Sequence, residues 1–415
     1  MSHTTALETP VGNRRRMPSE PLMALLDAVG ARPTEAQLAT FRRYTLMGDP
    51  LADDLVAAMS CLPKGLGRKQ FEDALEHGLA SVENPLPELA AFIADAEATP
   101  YWVDFRKIRR AQRMLRNTPI RLAFLGALAV TLPASFLNER GGNELLARAG
   151  GIEDASAGRL IEAAKWMYSS GEPGGMDRYG NGFKATVRVR LIHAYARSGA
   201  RTMGGWDEDK FDFPAGQAQT AAGWVPIFAG SISLVAFGAI GTPADLAAIL
   251  HLWRYQSHLM GLVPELQMDT LAGLGRLAYL IMLTDAGSDE HTRALTHATL
   301  DAVTGVYGLP TEGPFAKAVQ WAVRRFHAEI AGIAYGPQRK NFGLPAPSPL
   351  LLITPVITAF NLSSRLARMV SPTLRNRFED RQRRILADAV KRTGPTVSTA
   401  RREVSQAAPV PAAQA

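Results

Sequence analysis

The sequence predicts an all-α protein, and three observations carry that prediction. Helix starts recur as a capping side chain followed by proline. Apolar residues recur with helical spacing between those starts. Alternating β-branched stretches bounded by Asn-Gly or Asp-Gly turns are missing. Thr118-Pro119 gives the first clear start: threonine caps a free backbone N–H, and proline in the first turn has none to leave unpaired. It opens a buried helix over Ile120–Phe136, which Pro133 should kink or end. A second helix is expected over Arg159–Tyr168. After the glycine-rich turn Gly171–Gly182, a third covers Gly182–Arg197. A fourth spans Gln217 to about Phe237, with a kink expected at Pro226. Thr242-Pro243-Ala244-Asp245 combines cap, proline and first-turn acid, and opens a helix to about Leu262. Gly313-Pro314 opens another to about Ala334. Residues 337–349 form a proline-rich crossing. The apolar run Leu350–Phe360 that follows is too short to span a bilayer and is expected to pack against the body.

The chain has 415 residues, 47% of them hydrophobic, enough for a large core. One helical domain is expected over 19–392, flanked by a disordered leader (1–18) and a disordered tail (393–415) rich in Ala, Pro, Ser, Thr and Val. The formal charge of +7 is uneven: Arg365 to Glu403 holds eleven Lys/Arg against four Asp/Glu, which accounts for all of it. A near-neutral body argues against nucleic acid as partner. The basic tail beside Leu350–Phe360 instead suggests peripheral membrane contact through 350–392. Arg14, Arg15 and Arg16 are not followed by an uninterrupted apolar stretch, so a signal peptide is not expected and the cytoplasm is the default location.

The one cysteine, Cys61, excludes an intrachain disulfide and any cysteine-built zinc or iron–sulfur site. No His-Glu-x-x-His, Gly-x-Ser-x-Gly, Walker loop or dinucleotide fingerprint is present, and His327-Ala-Glu329 lacks the cysteines of a zinc deaminase. Haem needs no such spacing, because a single imidazole can hold its iron.

Three histidines are candidates for that role. On the helix Gly182–Arg197, Thr186, Arg190, His193 and Arg197 share one side, while Val187, Leu191, Ala194 and Tyr195 form an apolar one. A neutral imidazole between two guanidinium groups suits haem b, with Arg190 and Arg197 available to its propionates. The same pattern also fits a solvated face with a bystander histidine. His251 and His258 flank Arg254 on the next helix; each could be the ligand, line the pocket, or be a hydrogen-bonded core histidine. Arg159 and Glu162, three apart, read either as a surface ion pair or as a polar group near oxygen and substrate. The surroundings of Cys61 lack the Phe-x-x-Gly approach of a thiolate haem ligand.

The segment from Gly182 to Arg197 resembles the haem-ligand helix of an oxygenase family that contains the rubber oxygenases, called latex clearing proteins, and the oxygenase of mycophenolic acid biosynthesis. Further matches follow the family's order: Pro100-Tyr-Trp-Val-Asp104, Arg159-Leu-Ile-Glu162, Pro214-Ala-Gly-Gln217, and Leu252-Trp-Arg to Gly261, together spanning about 85–345. The resemblance implies a globin-like helical haem core with iron held by His193. In the rubber oxygenases, oxygen activated at ferrous haem b cleaves an isoprenoid double bond to carbonyl products, and the arginine matching Arg159 lies on the oxygen side. This chain carries Glu162-Ala163 where those enzymes carry Lys-Thr.

The function expected from residues and resemblance together is a haem-b oxygenase. It would act on a lipophilic, isoprenoid or lipid-like molecule with O2 and an electron donor the sequence does not name. His193 is the expected iron ligand, Arg159 the catalytic group, and Arg190 and Arg197 the cofactor contacts. The alternatives are a haem carrier or sensor without turnover, and a non-haem helical protein that binds lipid or a partner.

Overall fold

The computed structural model of the chain describes residues 24–393 apart from 25–26, 29, 139, 149–162, 203, 240–241, 285–289 and 341. The described residues form helices and no strands. In chain order the helices are α1 (Glu35–Tyr44), α2 (Pro50–Ser60), α3 (Leu66–His77), α4 (Pro87–Glu97), α5 (Phe105–Asn117), α6 (Ile120–Gly126), α7 (Leu132–Asn138) and α8 (Arg140–Arg148). Then come α9 (described over 163–171), α10 (Asn181–Thr202), α11 (Glu208–Phe211), α12 (Gln217–Ala236), α13 (Pro243–Leu259), α14 (Leu271–Thr284), α15 (Glu290–Tyr307), α16 (Ala316–Tyr335), α17 (Ile353–Val370) and α18 (Pro372–Thr393).

Local chemistry sets the starts. Thr34 and Gln37 form a reciprocal capping box at α1. Asp49 caps α2 ahead of Pro50, and Thr242 caps α13 by accepting from Asp245 N at 3.1 Å ahead of Pro243. At Thr118-Pro119 the chain turns by 101° from α5 into the next helix. The new N-terminus is capped from far away: Ile120 N donates to Oε1 of buried Gln382 on α18 at 2.8 Å.

The two expected proline effects differ. The helix from Ile120 does not break at Pro133. A π-helical stretch, Ala127–Thr131, stands just before it and widens the turn whose carbonyl the pyrrolidine ring would otherwise meet. Helix α12 runs on through Pro226 as one helix. These two helices cross closely, with only 3.3 Å between the Gly230 carbonyl and where a Cβ on Gly126 would lie.

The main core runs from Leu38 on α1 to Ile281 on α14 and includes Phe71, Phe92, Phe183, Leu252 and Trp253. A second cluster joins Ile120, Phe124 and Leu128 to Val303 and Val306 of α15 and to Leu386 and Ala389 of α18. The C-terminal helix is thus sealed onto the body, each large side chain among these contributing about 1.5–3 kcal/mol when fully buried.

The apolar run Leu350–Phe360 departs from expectation. It is part of a longer helical stretch, Pro349–Val370, whose 22 residues are long and apolar enough to cross a membrane by length and composition. Ile357 packs against the main core, but most of the apolar side chains face away from the body: Val356, Phe360, Leu366 and Val370 are 63–84% exposed. The inward face is instead held by polar bonds, which the apolar pattern alone could not announce.

Candidate functional site

Helix α10 is reached through a turn that only glycine can make. A Cβ on Gly182 would lie 2.5 Å from the Ser170 Cα, and Gly175 and Gly180 are as tightly set against neighbouring carbonyls. The contact brings α9 and α10 together along a buried polar seam. Trp166 Nε1 donates to Thr186 Oγ1 at 2.8 Å, Gln256 Nε2 donates to Ser170 Oγ at 2.7 Å, and Gln112 Nε2 donates to the Ser170 carbonyl at 3.1 Å. Beside it lies an aromatic wall. Trp166 meets Trp224 edge-on at 5.9 Å, and Trp224 tilts onto Trp253 at 6.1 Å.

Two turns after Thr186 stands His193. It is half-buried, and so are Ala185, Val189, Ile192 and Ala196, which share its stripe of the helix at helical spacing. Its Nδ1 is buried with no hydrogen-bond partner among the described residues. Burial, reinforced by the Arg197 guanidinium and opposed by Asp49, pulls its pKa from 6.5 down to about 4. The side chain is therefore a neutral imidazole at physiological pH, and a neutral imidazole carries one nitrogen lone pair.

The rest of that side is not a solvated face: Thr186, Arg190 and Arg197 are 0%, 3% and 4% exposed. Both guanidinium groups are met by carboxylates from the start of α2. Arg190 donates from Nε and Nη2 to Asp49 at 2.6 and 3.0 Å, and from Nη1 to Asp95 at 2.5 Å. Arg197 donates from Nε to Asp53 at 2.6 Å and from Nη1 to the Ala215 carbonyl at 2.8 Å, while its Nη2 is buried without a partner among the described residues. Every guanidinium nitrogen of Arg190 has a carboxylate partner; of the two arginines, only Arg197 has a nitrogen without any partner among the described residues. On the other side Val187, Leu191 and Ala194 are buried, but Tyr195 is 42% exposed, its hydroxyl 3.8 Å from Met59 Sδ.

Gln217 fastens this arrangement. Its Nε2 donates to the Gly48 and Gly261 carbonyls at 3.0 and 2.9 Å, and its Oε1 accepts from Val263 N at 3.0 Å. Gly261, at φ +76°, lies against the Arg190–Asp49 pair. The turn Pro214–Gln217 and Gly261, just past the end of α13, therefore meet around Arg190, three residues from His193.

The other two histidines are engaged. His251 Nε2 accepts from Asp104 N at 2.8 Å, and His258 Nε2 lies 3.3 Å from the Ala98 carbonyl. Trp102 stands edge-on to both rings and carries the Arg254 guanidinium over its face at 4.0 Å. Pro100–Asp104 is thus a clamp on α13. Cys61 is exposed at the C-terminal end of α2, its Sγ 3.6 Å from the Ala57 carbonyl. Arg159 and Glu162 lie outside the described residues; Ala163 is the first described residue of α9. Among the described residues no group of three or more His, Cys, Asp or Glu side chains could hold a bare metal ion. Sequence reasoning missed Asp49 and Asp53. Asp49-Pro50 reads as a helix cap, and nothing in the spacing announces that Asp49 has a partner 141 residues away.

The family model described as "ER-bound oxygenase mpaB/B'/Rubber oxygenase, catalytic domain" matches residues 112–369. The chain belongs to this family. Among solved structures, latex clearing protein LCP in its closed state is similar at a TM-score of 0.57 and 18% identity, over 83% of this chain and 91% of that one. That likeness shows a shared helical fold. No curated protein matches the chain. Membership makes this an oxygenase-family protein, with His193, Gln217 and Gly261 all inside the matched catalytic domain.

Proposed function

We propose that the chain is a haem-b-dependent oxygenase of a lipophilic substrate, with His193 as the iron ligand. The observation that carries this reading is a neutral imidazole whose buried Nδ1 has no partner, on a half-covered stripe of small apolar residues. A flat, apolar macrocycle with one axial nitrogen suits such a stripe, and His251 and His258 each have Nε2 engaged elsewhere. Arg197 Nη2 is the donor left for a propionate, and Arg190 serves by pairing with Asp49 and so fixing the helix that carries His193. When bound, haem supplies the redox chemistry with O2. The protein's part is to hold the ring through His193, keep that imidazole neutral by burial, and exclude water with the tryptophan wall. The resemblance adds Arg159 as the polar group on the oxygen side. Glu162-Ala163, in place of Lys-Thr, makes a substrate other than polyisoprene the better reading.

The deciding experiment is His193→Ala in protein expressed with haem supplied. The variant should lose most of its haem or show a rewritten spectrum, because neighbouring arginines stay protonated and cannot replace an axial nitrogen. Added imidazole should restore part of the spectrum. His251→Ala and His258→Ala should keep haem content near wild type. Unchanged haem content and ferrous spectrum in His193→Ala would remove the assignment. Oxygen uptake with a panel of lipophilic compounds then separates an oxygenase from a carrier.

A further inference from the structure

Helix α17 is amphipathic the wrong way round for a soluble protein. Its inward face is mostly polar, with Ile357 the apolar side chain packed on the main core. Thr358 Oγ1 donates to the Ala236 carbonyl at 2.9 Å, Asn361 Nδ2 to the Phe237 carbonyl at 2.9 Å, and Arg368 Nη2 to the Asn117 carbonyl at 3.0 Å. Arg365 faces Asp245 at 3.6 Å. These four residues recur at helical spacing and mark one side. The opposite side carries Ile353, Val356, Phe360, Leu366 and Val370, exposed by 47–84%. No charged residue interrupts that apolar side anywhere in the helix. A soluble surface helix buries its apolar stripe and wets its polar one; here the apolar side is left for the environment to cover.

We propose that α17 seats the protein on an anionic lipid bilayer, lying in the plane of the interface with its apolar side among the acyl chains. Three observations select this occupant and this pose. First, the stretch Pro349–Val370 has the length and hydropathy of a bilayer segment with only 6% of it buried, so its character matches lipid rather than a mixed protein interface. Second, the polar bonds run along the helix from Thr358 to Arg368 and join it to the ends of α12 and α5. Gly238, at φ +73°, lets it approach so closely that an added Cβ would lie 2.9 Å from Leu362 Cγ. A helix held broadside to the body cannot cross a bilayer without it, so the bonds fix the pose as in-plane. Third, the next helix is basic. Arg377, Arg381, Arg384 and Lys391 of α18 are exposed, and Arg368 of α17 lies over the Phe378 ring of α18 at 3.8 Å, tying the two helices together. Apolar insertion plus a neighbouring polybasic segment is the two-signal combination that makes membrane attachment stable.

Lipid binding through α17 needs no haem, so its test is separate from that of the proposed function. The full chain should pellet with vesicles of phosphatidylcholine containing about a third phosphatidylserine, and high salt should weaken the binding by about tenfold or more as the arginine contribution is screened. Val356→Asp combined with Phe360→Asp should lower binding by at least about tenfold with unchanged circular dichroism, since both side chains face away from the body. A Phe360→Trp variant guards against misfolding of the double variant: the fluorescence of its new indole should be quenched by lipids brominated high on the acyl chain. Wild-type protein left in the supernatant at low salt would overturn the proposal. So would an unquenched indole in the Phe360→Trp variant, or a double variant that binds as well as the wild type. A wild-type dimer that the double variant splits, with no vesicle binding, would assign the face to a second copy instead.

Discussion

Arg190 and Asp49 form a two-point ion pair, with Nε and Nη2 donating to the two carboxylate oxygens at 2.6 and 3.0 Å, and both side chains almost closed to solvent at 3% and 8% exposure. The pair joins the helix of His193 to the start of α2. Asp49 also caps α2, Oδ1 accepting from Ala52 N at 3.4 Å, so one carboxylate sets a helix start and the position of another helix together. Burial alone disfavours the charged guanidinium, yet its hydrogen bond to Asp49 and the charges of Asp49 and Asp95 hold its pKa above the usual value.

Removing one member should therefore be far worse than removing an exposed neighbour. Asp49→Ala strands a buried cation and loses a cap, and should destabilise the fold by about 3–5 kcal/mol in urea titration. Asp95→Ala, whose side chain is 38% exposed, should cost about 1 kcal/mol or less. Equal losses from the two would mean that the buried pair is not the anchor of α10.

Gly261 tests the same junction from its other side. Its φ of +76° disfavours any side chain, and a Cβ would lie 2.5 Å from Arg190 Nε and closer still to Asp49 Oδ2. Gly261→Ala should cost at least about 2 kcal/mol. Gly199→Ala, in α10 with open space around it, should stabilise by about 0.5–1 kcal/mol. The difference in urea midpoints reads both.

Much of this fold was legible in the sequence because its signals are local. Thr242-Pro243 and Thr118-Pro119 mark real helix starts, and α10, α12 and α13 lie within a few residues of where spacing puts them. The buried side of α10 was not legible. Thr186, Arg190 and Arg197 read as polar, and only the carboxylates Asp49 and Asp53, 141 and 144 residues before the arginines they meet, make the burial of those arginines affordable. Helix α17 failed for a related reason: its apolar run looks like core, while the bonds from Thr358 and Asn361 that turn the run outward are made to backbone carbonyls, which leave no trace in side-chain pattern. For His193, helical spacing left three histidines open. Their surroundings differ: His251 and His258 have partners, and the buried Nδ1 of His193 has none among the described residues, which is the basis for proposing His193.

Acid should weaken the fold through His327. It is 2% exposed, with Nδ1 2.8 Å from the Val323 carbonyl and Nε2 3.1 Å from the Tyr307 hydroxyl, and burial lowers its pKa from 6.5 to about 4. Between those values the unfolded chain binds a proton that the folded chain refuses. Its contribution is complete above pH 6.5 and is lost as the pH falls toward 4, up to about 3 kcal/mol. Denaturant titrations of haem-free protein at about pH 7 and about pH 5 should show the loss, and His327→Gln should flatten the slope. A slope unchanged in the variant would transfer the effect to other groups.

Arg159→Ala should keep the haem and lose the reaction. The reasons for this are the family match at Arg159-Leu-Ile-Glu162 and the position of that segment just before α9, whose Trp166 and Ser170 are bonded to Thr186 of the His193 helix and to Gln256. A fixed guanidinium stabilises negative charge as oxygen is reduced, an effect typically worth about 3–4 kcal/mol for one donor, or roughly a 10²–10³-fold loss of turnover. Haem content should not move, because the proposed iron ligand and the remaining propionate donor belong to His193 and Arg197. Arg159→Lys should recover only part, since an ammonium keeps the charge but not the planar pair of donors. The measurements are Soret absorbance per chain and oxygen consumption with an active lipophilic substrate. Wild-type consumption at wild-type haem content would leave Arg159 as an ion-pair partner of Glu162, and the chemistry would then have to be sought in another residue facing the His193 stripe.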